Sequence, residues 1–482
     1  MKMAAVTYGH LIGGEWHIGT DTFPVINPAT GEEVARATQG TVREAASAVE
    51  AAAGTFPRWS ATPSRDRAAV LHRVAALLRE RLAAMAVLLT REQGKPLRDS
   101  RKELATTADV LDLYAEEARR VGGEALPGET GDTFSFVLRQ PVGVVAAIGP
   151  WNFPVELLAW KIAPALAAGC TVVAKPPSEA PLTVLEMGRC FMDAGLPAGV
   201  LNMVTGPGRT VGEALVTHPL VRKIAFTGST ATGRRIGALA AEQLKRVTLE
   251  LGGSAPFIVC EDADLERAVP DAVRRSFSHA GQICISVNRI YVHKRLFGEF
   301  TDQFVERTRR LVVADGLRVP DADLGPMVSE AARQQVQEHV ADAIAKGAQV
   351  LTGGREPEED EYARGFFYLP TVLVDVEPAM RCMSEETFGP VAPIARFSTL
   401  DEALAMANAT EYGLAAYIYT RDLKTALDAA ARLESGGVGV NVNDITDLRM
   451  PFGGWKASGV GRELGRYGLE SYLELKHVRL RP

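Results

Sequence analysis

Apolar residues recur at helical spacing over residues 65–89, a run rich in Ala, Leu and Arg that Gly94-Lys95-Pro96 terminates. A second helical stretch covers residues 100–121, so the N-terminal third reads as helical. From Val142 the pattern changes. Short apolar runs at 142–148, 171–174, 200–204, 223–226 and 247–251 have the length of buried strands. Between them, 155–168, 183–194, 211–216 and 231–244 have helical spacing, with Gly169 and Gly195 placed as C-terminal caps.

Strands that alternate with helices form right-handed crossovers and a parallel sheet. Ligands of such sheets lie beyond the carboxyl ends of the strands. The loops expected there are Gly149-Pro150-Trp151-Asn152, Lys175-Pro176-Pro177-Ser178, Thr205-Gly206-Pro207-Gly208 and Thr227-Gly228-Ser229-Thr230. After Gly252-Gly253 the alternation restarts, with a strand at 256–259, a helix at 264–279 and a strand at 289–292. The fold class is therefore α/β, with two doubly wound, Rossmann-like parallel sheets. The alternating segment 472–480 and residues 134–138 could pair as a small β-arm leaving the body of the subunit. The polar stretch 355–364 reads as a surface loop.

A chain of 482 residues is long enough for two or three domains, and 46% hydrophobic with 23% charged residues places it among globular proteins. The net charge of −6 gives no basic surplus for nucleic acid or an anionic membrane surface. The first residues lack the apolar run of a signal peptide, and the uncharged stretch 140–155 is broken by three prolines, so a cytoplasmic protein is expected. The five cysteines are scattered, which argues against a disulfide framework or a metal site.

Candidate chemistry centres on a few positions. The glycines of 206–212 and 228–233 miss the dinucleotide and P-loop fingerprints, yet Gly228 and Ser229 sit between a strand and a helix, where backbone N–H groups favour an anion. Cys284 follows Gly281-Gln282-Ile283, small and polar enough to leave a sulfur exposed. Nearby His279 leaves a cysteine-histidine hydrolase open at this point. Glu250, flanked by Leu249 and Leu251 and followed by two glycines, is a candidate general base if burial raises its pKa.

Six motifs in order resemble the aldehyde dehydrogenase superfamily over essentially the whole chain. They are Pro150-Trp151-Asn152-Phe153-Pro154, Phe226-Thr227-Gly228-Ser229-Thr230, Leu249-Glu250-Leu251-Gly252-Gly253, Gly281-Gln282-Ile283-Cys284, Glu386-Thr387-Phe388-Gly389-Pro390 and Pro451-Phe452-Gly453-Gly454. The resemblance implies a nucleotide-binding domain (1–121 and 141–250), a catalytic domain (251–464) and an oligomerisation arm (122–140 and 465–482). It also implies a homodimer or homotetramer and no metal. Cys284 would attack the aldehyde, with Asn152 and the Cys284 N–H holding the oxyanion. Glu250 would activate the hydrolytic water, and Lys161 and Glu463 would tune the oxyanion residue and proton relay. Trp151, Lys175, Ser178, Gly228, Ser229, Glu386 and Phe388 would bind NAD or NADP. NAD-specific members often carry a glutamate where this chain has Ser178, with the acid displaced to Glu179, so NADP is expected to be accepted.

Part of the chain looks similar to NADP-using succinate-semialdehyde dehydrogenases, but their two carboxylate-binding arginines are replaced by Trp160 and Ser278. With Phe153, Leu157, Ile283, Ile285 and Phe452, Trp160 implies an apolar pocket for medium aliphatic or aromatic aldehydes. Arg449 carries the alternative, an acidic semialdehyde of the succinate or muconic type. A CoA-acylating relative would typically lack the glutamate at position 250. A non-catalytic, crystallin-like relative would tend to lose Cys284, Glu250 or Asn152.

Overall fold

The computed structural model describes residues 6–129, 131–319 and 321–481. The expectation for the chain start, and the ends of the expected units at 1 and 482, lie outside the described residues.

Each apolar run near the middle of the chain becomes a strand of one eight-stranded sheet. Its five central strands are parallel, in the spatial order Arg246–Glu250, Val221–Thr227, Val144–Ile148, Thr171–Lys175, Leu201–Met203. The chain builds outward from Val144–Ile148 on one side, then returns to build on the other. The switch point between Val144–Ile148 and Val221–Thr227 opens a crevice at their carboxyl ends. The connecting helices Pro154–Ala168, Leu182–Asp193 and Thr230–Ala241 cover the faces. The first of these begins with a proline, whose missing N–H costs nothing there, and ends at Gly169 in the left-handed conformation, as expected.

The second sheet has seven strands. Six are parallel: Thr371–Val374, Val391–Phe397, Val287–His293, Ala255–Val259, Ala415–Tyr419 and Gly437–Val440, and Gln349–Thr352 closes one edge antiparallel. The helix Leu265–Phe277 joins Ala255–Val259 to Val287–His293 and leads directly into the Cys284 turn. A third sheet pairs Leu473–Leu480 with Phe134–Pro141 over eight residues, and Glu124–Pro127 adds a further strand. This is the expected arm.

The helical reading of the N-terminal third needs correction at its start. Residues 7–38 contain five short strands before the first helix, Val42–Ser60. His10–Ile12 and Glu15–His17 extend the eight-stranded sheet antiparallel, and the other three form a separate small sheet. The two long helices follow where expected, at Ser64–Gln93 and Leu97–Ala118. One strand arrives from far along the chain: Gly459–Val460 pairs antiparallel with Arg246–Glu250. Among the described residues no helix is long and apolar enough to cross a membrane.

Candidate active site

The loop after Val144–Ile148 places Asn152 in the crevice. Its side chain is buried, and Nδ2 donates to the carbonyl of Gln282 at 3.0 Å. Its own carbonyl accepts from Lys95 Nζ at 2.6 Å and contacts His279 Nε2 at 3.1 Å. Lys95 is fully buried and ion-paired with Glu103, whose other oxygen accepts from the Val155 N–H at 2.9 Å. Asn152 is thus fixed from three sides, with its amide held two residues from Cys284.

Cys284 lies at a cavity of about 380 Å³. The turn that presents it has three successive residues with positive φ: His279 and Ala280 at 54° and Gly281 at 72°. Side-chain-free backbone is needed here for close approach. A Cβ on Gly281 would strike the carbonyl of Gly389, and one on Gly253 would strike the carbonyl of Cys284. A Cβ on Gly252 would meet the Glu386 carboxylate, whose other oxygen accepts from the Gly253 N–H at 2.9 Å. Three segments distant in sequence, 250–253, 281–284 and 386–389, are therefore packed backbone against backbone. Burial, followed by the charges of Glu386 and Glu250, pushes the Cys284 thiol up to about 12. The sulfur is half-buried, while the other four cysteines are buried. His279 faces Gln93 and the Asn152 carbonyl, and burial holds it well below the usual histidine range. It makes no hydrogen bond to Cys284 among the described residues, so the base of a cysteine-histidine hydrolase is missing.

Glu250 ends the strand Arg246–Glu250, is buried, and neither carboxylate oxygen has a hydrogen-bond partner. Burial, then the charge of Glu463, drives its carboxyl well above the usual range. Glu463 is paired with Lys161 at 2.9 Å. Lys161 also donates to Thr227 Oγ1 at 2.6 Å and to the Leu157 carbonyl at 3.1 Å. A buried carboxyl with a raised pKa beside a fixed cation is suited to taking and passing a proton.

The crevice suits a dinucleotide. Ser229 caps the twelve-residue helix Thr230–Ala241, accepting from Thr232 N, so the positive end of that helix faces the switch point. The Gly228 N–H donates to the Glu250 carbonyl at 3.1 Å, so what Gly228 offers a ligand is the lack of a side chain. Lys175 is buried, with its amine lowered to about 8 by burial. Ser178 donates to the Gly206 carbonyl at 3.2 Å, and Glu179 points to solvent. Trp151 packs edge-on against Phe388 at 5.4 Å. Burial raises the Glu386 carboxyl to about 7.

The inner cavity wall is apolar, with Trp160 and Phe452 in edge contact at 5.1 Å. Phe153, Leu157, Ile283 and Ile285 also line it. Arg449 does not. It is exposed and pairs with Asp447 at 2.9 Å, while its neighbour Leu448 faces the cavity.

The sequence matches the model of the aldehyde dehydrogenase family over residues 16–478. The chain belongs to the aldehyde dehydrogenase family. It is 43% identical to the NADP+-dependent succinate-semialdehyde dehydrogenase of Escherichia coli, over 97% of this chain and 96% of that one. It is 45% identical to the 3-sulfolactaldehyde dehydrogenase of Pseudomonas putida, over 95% and 94%. The crystal structure of betaine aldehyde dehydrogenase from Staphylococcus aureus in complex with NAD+ superposes with a TM-score of 0.96 at 35% identity, covering 99% of this chain and 95% of that chain. The protein is thus an NAD(P)+-dependent aldehyde dehydrogenase.

In this aldehyde dehydrogenase, Phe153, Leu157, Trp160, Ile283, Cys284, Ile285 and Phe452 line one cavity, Asn152 bonds the segment that carries Cys284, and Arg449 lies apart. Sequence reasoning missed the charged residues around that cavity. Lys95 was read only as part of a helix stop, although a lysine between Gly94 and Pro96 has no helical turn on which to reach solvent. Glu156 stands alone in a run of apolar residues, and Lys102 and Arg274 lie within the helical stretches 100–121 and 264–279, where no motif marks them.

Proposed function

We propose that this enzyme oxidises an aldehyde to its carboxylic acid through a covalent thioester on Cys284. The observation that carries the reading is the convergence of three separate segments on Cys284: Asn152 Nδ2 donates to the Gln282 carbonyl, Gly253 abuts the Cys284 carbonyl, and the charge of Glu250 acts on the thiol. The Cys284 sulfur attacks the carbonyl carbon, and the oxyanion that forms is held by Asn152 Nδ2 and the Cys284 N–H. Fixed donors aimed at developing charge contribute a few kcal/mol each, roughly 3. Bound NAD(P)+ supplies the hydride acceptor. Glu250 then takes a proton from the water that attacks the thioester, and Glu463 with Lys161 passes that proton onward. Lys175, Ser178 and the helix N-terminus at Ser229 hold the adenosine and pyrophosphate end. Trp151, Glu386 and Phe388 hold the nicotinamide end. With the expected division into nucleotide-binding and catalytic domains, this chemistry would lie between the two large sheets.

The apolar inner wall receives the carbon chain next to the aldehyde. A short dicarboxylic semialdehyde would set an unpaired carboxylate against Trp160, which is costly. Two of the relatives named above, the succinate-semialdehyde and 3-sulfolactaldehyde dehydrogenases, act by their names on aldehydes that carry an acidic group, and Arg449 does not supply the partner such a group needs here.

Cys284→Ala tests the mechanism. Aldehyde-dependent NAD(P)H formation falls below detection while cofactor binding, followed by quenching of tryptophan fluorescence, stays within a few fold. Substantial turnover in that variant would remove Cys284 from the reaction.

A further inference from the structure

Charged residues line the Cys284 cavity beside the apolar ones; Lys102 and Arg274 are exposed, whereas Leu157, Trp160 and Phe452 are buried. Most of these charges are already neutralised in pairs: Lys95 by Glu103, Arg275 by Asp444, and Asp109 by Arg79. Lys102, from the helix Leu97–Ala118, and Arg274, from the end of Leu265–Phe277, both line the cavity. Neither belongs to any ion pair of the described residues. Arg274 is aimed by one hydrogen bond, from Nη2 to Asn443 Oδ1 at 3.0 Å, which leaves its charge unmatched.

We infer that Lys102 and Arg274 form an anion-reading pair at the cavity mouth. The substrates of this site are then aldehydes with a carboxylate at the far end of an extended apolar chain. The inference rests on the Cys284 reading above and adds the substrate class. Its geometry follows from the order of the walls. Leu157, Trp160 and Phe452 are buried and the two cations exposed, so a chain that runs outward from Cys284 packs on the apolar residues before it meets either cation. A four-carbon semialdehyde leaves its carboxylate among the apolar walls, whereas a longer one delivers it to the pair.

Two acids also line the mouth, and they decide the sign of the preferred charge. Burial and the nearby Glu103 push the Glu156 carboxyl up to about 8, so at pH 7 it is mostly neutral and can donate a hydrogen bond. Burial raises Asp99 as well, against the pull of Arg98, Lys95, Lys102 and Arg274. With Glu156 neutral, two cations face one carboxylate, and the mouth favours an anion.

The test compares three aldehydes of equal chain length: adipate semialdehyde, hexanal and 6-aminohexanal. For the wild type, kcat/KM is expected in that order, with adipate semialdehyde ahead of hexanal by roughly tenfold or more, since hydrogen bonds to charged groups are the stronger kind. Succinate semialdehyde should fall behind adipate semialdehyde. The double variant Lys102→Gln/Arg274→Gln should lose at least tenfold in the ratio of adipate semialdehyde to hexanal, chiefly through KM. Lys102→Arg with Arg274→Lys should restore most of it. An unchanged ratio, or a wild type that prefers 6-aminohexanal, overturns the inference. If the double variant fails to fold, salt decides on the wild type: raised ionic strength should lower kcat/KM for adipate semialdehyde and spare hexanal. Equal salt responses overturn the inference too. Failure of the Cys284 reading looks different, because Cys284→Ala would then still oxidise hexanal and adipate semialdehyde alike.

Discussion

At the scale of single residues, the two central groups both carry pKa values that burial has displaced, and the displacements have consequences. The Cys284 thiol is pushed up to about 12, so the apoenzyme holds it neutral at physiological pH. Because the thiolate is the reactive form, its alkylation by iodoacetamide in the absence of cofactor should still be accelerating at pH 10. A plateau near pH 8.5 would mean an ordinary, solvated thiol. Glu250→Gln should release one burst of NAD(P)H per site and then stall, since hydride transfer precedes water activation; loss of the burst itself would give Glu250 an earlier role. In the proposed cofactor site, Ser178 would avoid the like-charge clash that an acid would impose on a 2′-phosphate. NADP+ should therefore serve as well as NAD+, and Ser178→Glu should move the preference toward NAD+ by tenfold or more in kcat/KM. Cys284, Glu250 and Asn152 were legible in the sequence because each sits in a motif whose neighbours are constrained by close backbone contact, as the glycines at 252, 253 and 281 show. Arg274 and Lys102 were not legible, because no short-range pattern records that two helix-surface charges face one cavity.

At the scale of elements, the helix Pro154–Ala168 is held at its start by a buried ion pair. Glu103 bonds both Lys95 and the first free N–H groups of the helix, at Val155 and, more weakly, Glu156. Removing one partner strands the other charge in the interior, a loss of about 3–5 kcal/mol. Lys95→Met should lower the thermal midpoint measurably, while Lys95→Met/Glu103→Leu should recover part of that loss. A single variant as stable as the wild type would show that water reaches the pair. Long periodic helices and the central strands were readable because burial imposes a period over many residues. The strands between residues 7 and 38 were not. They are two to six residues long and partly exposed, and their pairing with Met203 and with one another is a tertiary fact.

At the scale of the whole molecule, the third sheet exposes apolar side chains on both faces, Phe134, Leu138 and Leu480 on one and Leu126 and Leu475 on the other. Leu126, Leu475 and Leu480 are at least half exposed, and Phe134 and Leu138 are 43% and 40% exposed. An antiparallel sheet with exposed apolar residues on both faces and two open edges is suited to a second copy of the chain. Leu138→Asp with Leu475→Asp should reduce the solution mass measured by light scattering, and an unchanged mass would place the subunit contact elsewhere. The strand Gly459–Val460 bears on a different matter. It comes from beyond the seven-stranded sheet and completes the edge next to Glu250, so the two large halves are not modules in sequence. A fragment cut after Glu250 would keep its cofactor loops yet leave that strand bare and sticky. Recombination between relatives at this apparent boundary should give insoluble chimaeras unless residues 452–463 travel with the first half. The unit of inheritance is larger than either sheet.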